Sequence, residues 1–444
     1  MLSYKAGQLC IEGSSVKTLA DELGTPFFLF SEARLRANYA ALARGLSRPG
    51  AEVTIRYCAK VNNEAAILTL LASCGSAVLV SHLAEAQLAL RCGFQPGRIA
   101  YQRPVIDKEE VRRILEAGVT FVHASRLHDL HVLEKIGSEL GRNIRVSLRV
   151  RDDFPGSRFS PLKLLSRRLG FEASDVLTAA EVVRHSKWLS LAAINVYHGT
   201  QLEAVSSYRS PLRLVTGLAA KVQARLGLSL EEINLGGGMP SPSLRRLGFG
   251  GLGRRPEHDR AFQDFPRSLE EFAGKLSFEF FEAVDRTGLQ PLPAMSVEPG
   301  RSIVGNAAIL VARVRAVDRN WIFLDASHNY LPESAVLFSR AVLPVTRSEV
   351  GTERHYHLSG STLNTLDVIG FRRRLPILRE GDLVALCDAG AYSLSRASRY
   401  AGLCPAAYLI GVDGSRRMIR RAEDVCDLMA PMVTRPDGEA TGSD

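Results

Sequence analysis

The sequence predicts an α/β unit joined to an all-β unit: an N-terminal (β/α)8 barrel and a C-terminal antiparallel β-barrel or sandwich domain. Three observations predict it. Between about residues 26 and 305, short apolar runs alternate with amphipathic helical stretches, the rhythm of parallel strand-helix units. These units number roughly eight, the count that closes a parallel barrel; an open doubly wound sheet is the alternative. After about residue 306 helical stretches become scarce, and strand-like runs separated by turns take over, as in antiparallel β domains.

The elements follow in order. "PFFLF" reads as a strand, and Ser31 as the N-cap of the helix "EARLRANYAALARGL". "VTIRYCA", "SAVLVS", "RIAYQ" and "TFVHAS" are each followed by a helical stretch, and "IRVSLRV" comes next. "LAAINVYHG" leads into a long helical region, then "EEINLGGGMP", a further helical region and "PAMSVEPGR". Residues 152–166 are turn-rich, and residues 239–266 are rich in Gly, Pro and Arg. The second stretch is long for a structureless loop, so it is expected to form a lid or mobile segment near a site. "NAAILVARVRAV", "WIFLDAS", "ERHYHLSG", "DLVALCDAG" and "AAYLIGVDG" supply strands of the second domain. Domain boundaries fall at 26–305 for the barrel, with 1–25 and 306–432 forming the β domain and 433–444 a disordered tail.

Composition narrows the function. The 444 residues carry a net charge of +9 with 46% hydrophobic and 23% charged residues, ordinary for a globular protein. Arginines are spread along the chain; Arg245, Arg246, Arg254 and Arg255, and Arg372 to Arg374, are the densest groups. Zinc-finger spacing and basic-aromatic stripes are absent, so neither a metal nor a nucleic acid is expected. The seven cysteines are odd in number and lack CxxC spacing, which fits a reducing compartment. The first ten residues hold no apolar signal core, and no stretch is long enough to span a bilayer. A cytoplasmic protein without membrane contact is expected.

Candidate chemistry gathers at strand ends. Lys60 follows the apolar "YCA". A lysine there is ordinarily one whose head reaches solvent; the alternative is a paired or chemically employed amine. Gly236, Gly237 and Gly238 offer unencumbered N–H donors, as phosphate sites require, although such a run is more often a plain turn. Glu298, Gly300 and Arg301 stand in "EPGR", which reads either as a local ion pair or as separate ligands for a basic nitrogen and a phosphate. A lysine able to form a Schiff base, a phosphate loop and a carboxylate for a ring nitrogen together describe a pyridoxal 5'-phosphate site.

Here the sequence resembles the ornithine/diaminopimelate/arginine decarboxylases, the alanine-racemase-like barrel enzymes of pyridoxal phosphate, from "TPFFLF" to "AAYLI". "YCAKVN" resembles Y-A-x-K-A-N and implies Lys60 as the Schiff-base lysine. "NLGGGMP" resembles the phosphate loop. "VEPGRSIV" implies that Glu298 faces the pyridine nitrogen and Arg301 lies near the phosphate. "CDAGAYSLS" implies that Tyr392 reaches the phosphate. "SGSTLNTLDV" stands in place of G-P-x-C-D-S-x-D, which reaches across a homodimer interface into the partner's site. The resemblance implies amino-acid decarboxylation.

The departures bear on substrate. Leu363 holds the cysteine position of that motif, Asn364 the following acidic position, and Asp367 keeps the last one. "NVYHGTQ" stands for H-x-G-S-Q, so Tyr197 aligns with the histidine that stacks on the cofactor; His198 takes that role if the backbone shifts by one residue. Thr200 keeps the phosphate hydroxyl. Glu333 is the nearest match to an arginine that holds the distal carboxylate of diaminopimelate; it is either a substrate residue suited to a basic distal group or an exposed loop glutamate. His82 falls where a serine near the cofactor is usual. The sequence therefore points to a homodimeric decarboxylase of an unusual amino acid or a conjugate. A racemase or other Cα-deprotonating enzyme and a non-catalytic regulator are the rivals.

Overall fold

Eight parallel strands close into a barrel in the order Val53–Cys58, Ala77–Val80, Ile99–Gln102, Phe121–Ala124, Ile144–Val150, Leu189–Val196, Glu232–Asn234 and Ala294–Val297. The last pairs with the first, Met295 lying opposite Val53. The computed structural model describes residues 1–151, 168–246, 265–333, 335, 338–347 and 352–432. Most strand residues are buried, because helices cover the outside and side chains fill the inside; such strands read as continuous apolar runs. Side chains capping the helices place their starts. Ser31 Oγ accepts from Arg34 N at 3.0 Å, Asp107 Oδ1 from Glu110 N at 2.8 Å, and His82 Nδ1 from Glu85 N at 3.3 Å.

One strand is not where the sequence rhythm places it. Phe27–Ser31 pairs antiparallel with Ala308–Asp318 and parallel with Ala406–Ile410, so it belongs to the second sheet. The barrel side of the chain begins at the helix Glu32–Leu46, later than the boundary expected at residue 26. Periodicity could not separate the two placements, because a strand buried on both faces reads alike in either sheet.

The β domain is a nine-stranded sheet with further short strands. Strands Leu2–Lys5, Gln8–Ile11 and Ser14–Ser15 form a small sheet of their own. Leu9 and Ile11 share a buried cluster with Phe27, Leu29 and Ile309, and Leu9 N donates to Val345 O at 2.8 Å, so the first residues join this domain. Val368–Pro376 and Arg416–Arg420 are strands that charge hid in the sequence. The second is an edge strand, where arginine discourages pairing with another chain.

Of the expected lid, residues 239–246 run into the strand Leu244–Arg246, which pairs antiparallel with Phe338–Arg340; residues 247–264 lie outside the described residues, as do 152–167 and 433–444. Among the described residues no helix is long and apolar enough to cross a membrane, and no group of three His, Cys, Asp or Glu side chains could hold a metal.

Candidate active site

Lys60 sits in the short turn Ala59–Val61 that follows the first barrel strand. Two segments clamp this turn. Cys58 N donates to Pro299 O at 3.1 Å, and Tyr392 N donates to Val61 O at 2.7 Å. Asn62 Nδ2 donates to Gly390 O at 2.9 Å. The lysine is thus carried on rigid backbone to the C-terminal rim of the barrel, where barrel enzymes place their chemistry. It lines a cavity of about 820 Å3. The neighbouring Cys58 sulfur and, beyond it, Glu298 hold its ammonium above the ordinary lysine value against the pull of desolvation. Burial pushes the Cys58 thiol up to about 11.

Glu298 lines the same cavity at the end of the strand Ala294–Val297. Its backbone N donates to Gly236 O at 2.8 Å, and its Oε1 accepts from Asn234 Nδ2 at 2.8 Å. Asn234 Oδ1 in turn accepts from Gly236 N at 2.7 Å. Burial raises the Glu298 carboxyl, while Asn234 and the cations Arg56, Arg149 and Lys60 oppose the rise. His123 Nε2 lies 3.4 Å from Glu298 Oε1.

Between these ends runs a turn that only glycine can make. Gly236 and Gly238 have φ of +63° and +98°. A Cβ would stand 2.6 Å from Val196 O at Gly236, 2.7 Å from Glu298 O at Gly237 and 2.5 Å from Gly199 O at Gly238. Gly237, Gly238, Thr200 and Tyr392 line the cavity; Gly236 stands behind it. Arg301 also lines it, with its guanidinium 5.0 Å from the Tyr392 ring centroid. Arg301 is bonded to Glu333, and its Nη1 lies 4.0 Å from Asp388 Oδ1. Arg340 Nη2 approaches the other oxygen of Glu333 at 3.4 Å. Arg301 Nε and Nη1 are buried without a hydrogen-bond partner among the described residues. A glycine cradle, unsatisfied guanidinium nitrogens, a held carboxylate and a lysine in one cavity fit pyridoxal phosphate, which carries an anion, a basic ring nitrogen and an aldehyde.

The remaining candidates divide. Tyr197 lines the cavity, its ring centroid 5.8 Å from the Arg149 guanidinium carbon. His198 lines it too and is buried. His82 lines it while its Nδ1 caps a helix. Glu333, Leu363, Asn364 and Asp367 do not line this chain's own cavity. Glu333 is no exposed loop residue, its side chain being only 4% exposed. Asp367 is buried and occupied within its own loop: His328 N, Thr362 N and Thr362 Oγ1 donate to it at 2.8, 2.9 and 2.7 Å. That loop turns Leu363 wholly into solvent, with Leu366 76% exposed. Sequence reading missed Arg149, Asn234 and His123. The one available signal was polar residues at inward positions of apolar barrel strands, two before Gly236 in the case of Asn234.

The closed barrel, the adjoining β domain and this cavity put the chain in the class of pyridoxal phosphate enzymes built on a (β/α)8 barrel. Comparison with known proteins narrows the class. The chain belongs to the pyridoxal-dependent decarboxylases: the family described as "Pyridoxal-dependent decarboxylase, pyridoxal binding domain" matches residues 32–305, more than half of the chain. It is a pyridoxal phosphate-dependent carboxy-lyase. Diaminopimelate decarboxylase of Archaeoglobus fulgidus is 29% identical over 436 residues, covering 97% of this chain and 98% of that one. The crystal structure of diaminopimelate decarboxylase from M. jannaschii in co-complex with L-lysine superposes with a TM-score of 0.85 at 21% identity, covering 98% of both chains. The structure of AQ1208 from Aquifex aeolicus does so with a TM-score of 0.79 at 25% identity, again covering 98% of both.

Proposed function

We propose that this chain works as a homodimer that decarboxylates an amino acid, or an amino-acid conjugate, lacking the distal carboxylate of diaminopimelate. The observation that carries the reaction is that Lys60 and Glu298, far apart in sequence, line one cavity beside a glycine cradle. Lys60 carries the cofactor through its Nζ. The cradle, Thr200, Tyr392 and Arg301 take the phosphate. Glu298 turns an oxygen to the ring nitrogen, with Asn234 fixing the other. When bound, pyridoxal phosphate supplies an electron sink for the pair released as the bond from Cα to the carboxylate breaks. Tyr197, or His198 beside it, would supply the ring that stacks on the bound cofactor. The proton returned at Cα would come from a side chain of this cavity, with His198 and Tyr392 the candidates.

The substrate reading rests on Glu333. Its carboxylate stands where the resemblance puts an arginine for a distal carboxylate, and it already binds Arg301 and Arg340. Glu333 thus offers no cation to a second carboxylate, and the two guanidinium groups beside it are already engaged in its ion pairs. The partner subunit's loop tip, with Leu363 at its apex, is proposed to close the far side of the cavity.

The test begins with the visible spectrum of the purified protein. A cofactor band that disappears in Lys60→Ala supports the assignment of Lys60, and CO2 release from a panel of amino acids then identifies the substrate. Preferred turnover of meso-diaminopimelate would overturn the specificity reading. Deuterium exchange at Cα without CO2 release would replace decarboxylation by Cα deprotonation.

A further inference from the structure

The barrel interior beneath the cavity is polar, where barrels are ordinarily filled by branched apolar residues. Asn195 lies opposite Asn234 on the adjoining strand, and His123 lies opposite Ser147. Asn234 reaches Glu298, so its neighbour Asn195 shares the inward face. His123 is fully buried, with its ring edge-to-face on Phe121 at 5.5 Å. Neither of its nitrogens has a hydrogen-bond partner among the described residues. Buried polar groups without partners are rare, and each calls for an explanation. The nearest acceptor recorded for this ring is Glu298 Oε1, 3.4 Å from Nε2.

We infer that His123 is a positioning residue for Glu298: a neutral imidazole whose Nε2–H, beside the Asn234 amide, donates to Oε1 and keeps the carboxylate ionised and aimed at the ring nitrogen. This rests on the proposed role of Glu298. Contacts of this kind tighten in the loaded site. The charged groups facing the pair are Arg56, Arg149 and Lys60. Arg56 is already held by Glu232, with two bonds of 2.7 Å. Burial, and then Arg56 and Arg149, push the histidine well below its ordinary value, so a neutral N–H donor is the form that fits. Asn195 and Ser147 carry three more buried atoms without partners, polar groups of the kind that hold an internal water for Nδ1.

The test uses holoenzyme loaded with pyridoxal phosphate labelled with 15N in the ring, and reads the 15N chemical shift across pH. Four proteins are compared: wild type, His123→Phe, His123→Gln and Glu298→Gln. In His123→Phe the shift moves toward neutral pyridine and kcat falls roughly tenfold, the weight of one hydrogen bond to a charged group. His123→Gln, which can still offer an N–H, returns both toward wild type. A wild-type shift in His123→Phe would overturn the inference. A phenylalanine that merely disturbs the fold would be betrayed by unchanged ring protonation in the remaining loaded fraction. If Glu298→Gln also leaves the shift unmoved, the role given to Glu298 itself is wrong; if Glu298→Gln moves it and His123→Phe does not, only the role of His123 falls.

Discussion

Arg301 and Glu333 form an ion pair whose side chains are only 6% and 4% exposed, and Arg340, 5% exposed, shares the same carboxylate. One anion therefore sits between two buried guanidinium groups. Arg301 faces the cavity on its other side, so the pair links the cofactor site to the β domain that supplies Glu333.

Removing that anion leaves two buried cations with Asp388, 4.0 Å from Arg301, as the one carboxylate beside them among the described residues. Glu333→Ala is expected to destabilise the protein by about 3 kcal/mol or more, because breaking a buried pair leaves uncompensated charge. A falling thermal midpoint checks this, and Arg340→Met in the same background should recover part of the loss.

The glycine cradle is expected to be intolerant of any side chain. Gly238→Ala forces a Cβ against Gly199 O from a φ of +98°. Its cost is expected to exceed about 1 kcal/mol, since the native backbone is incompatible with alanine. Titration of apoprotein with pyridoxal phosphate should show weakened binding, with Gly236→Ala behaving alike.

Glu298→Gln keeps the shape and loses the charge. Decarboxylation is expected to fall at least roughly a hundredfold, the scale on which removing a preorganised electrostatic contact acts. Measured cofactor occupancy should stay near wild type, which separates loss of the electron sink from loss of binding.

Asp367 gives a pH signature. Burial alone would raise its carboxyl, but hydrogen bonds from His328 and Thr362 outweigh burial and hold it below the ordinary value. A depressed folded-state pKa stabilises above the unfolded value of about 4 and loses that contribution as pH falls through the folded one. Asp367→Asn should thus be less stable than wild type at neutral pH, and the two stability curves should converge at the acid end. Parallel curves down to the lowest pH reached would show that the carboxylate contributes nothing.

Leu363 is fully exposed, so Leu363→Asp is expected to leave folding stability within about 0.5 kcal/mol of wild type. Under the proposed homodimer with shared sites, the variant should lose activity and shift toward monomer in sedimentation. Mixing it with inactive Lys60→Ala chains should restore turnover, because one site then receives both an intact lysine and an intact loop.

The alternation of apolar and helical runs identified the parallel barrel, and the later strand-rich segment identified the β domain. Lys60, the glycine run, Glu298 and Arg301 drew notice because each stands in a short segment whose residue types match one chemical need, whereas Tyr392 entered only through the family resemblance. Phe27–Ser31 was misplaced because burial on both faces erases the pattern that distinguishes a barrel strand from a sheet strand. Arg416–Arg420 was missed because an edge strand is written in charge.

Sequence alone determined which side chains could serve a pyridoxal phosphate site, since lysine, glycine and carboxylate chemistry is local to the residue. Tertiary structure decided what each one meets. It turned Asp367 inward to tie its own loop, and it set Glu333 between two arginines. It also brought His123 to Glu298, across strands separated by more than a hundred positions. Such pairings depend on barrel closure and strand register, which bring distant residues within a few ångströms and leave no mark in the neighbouring sequence.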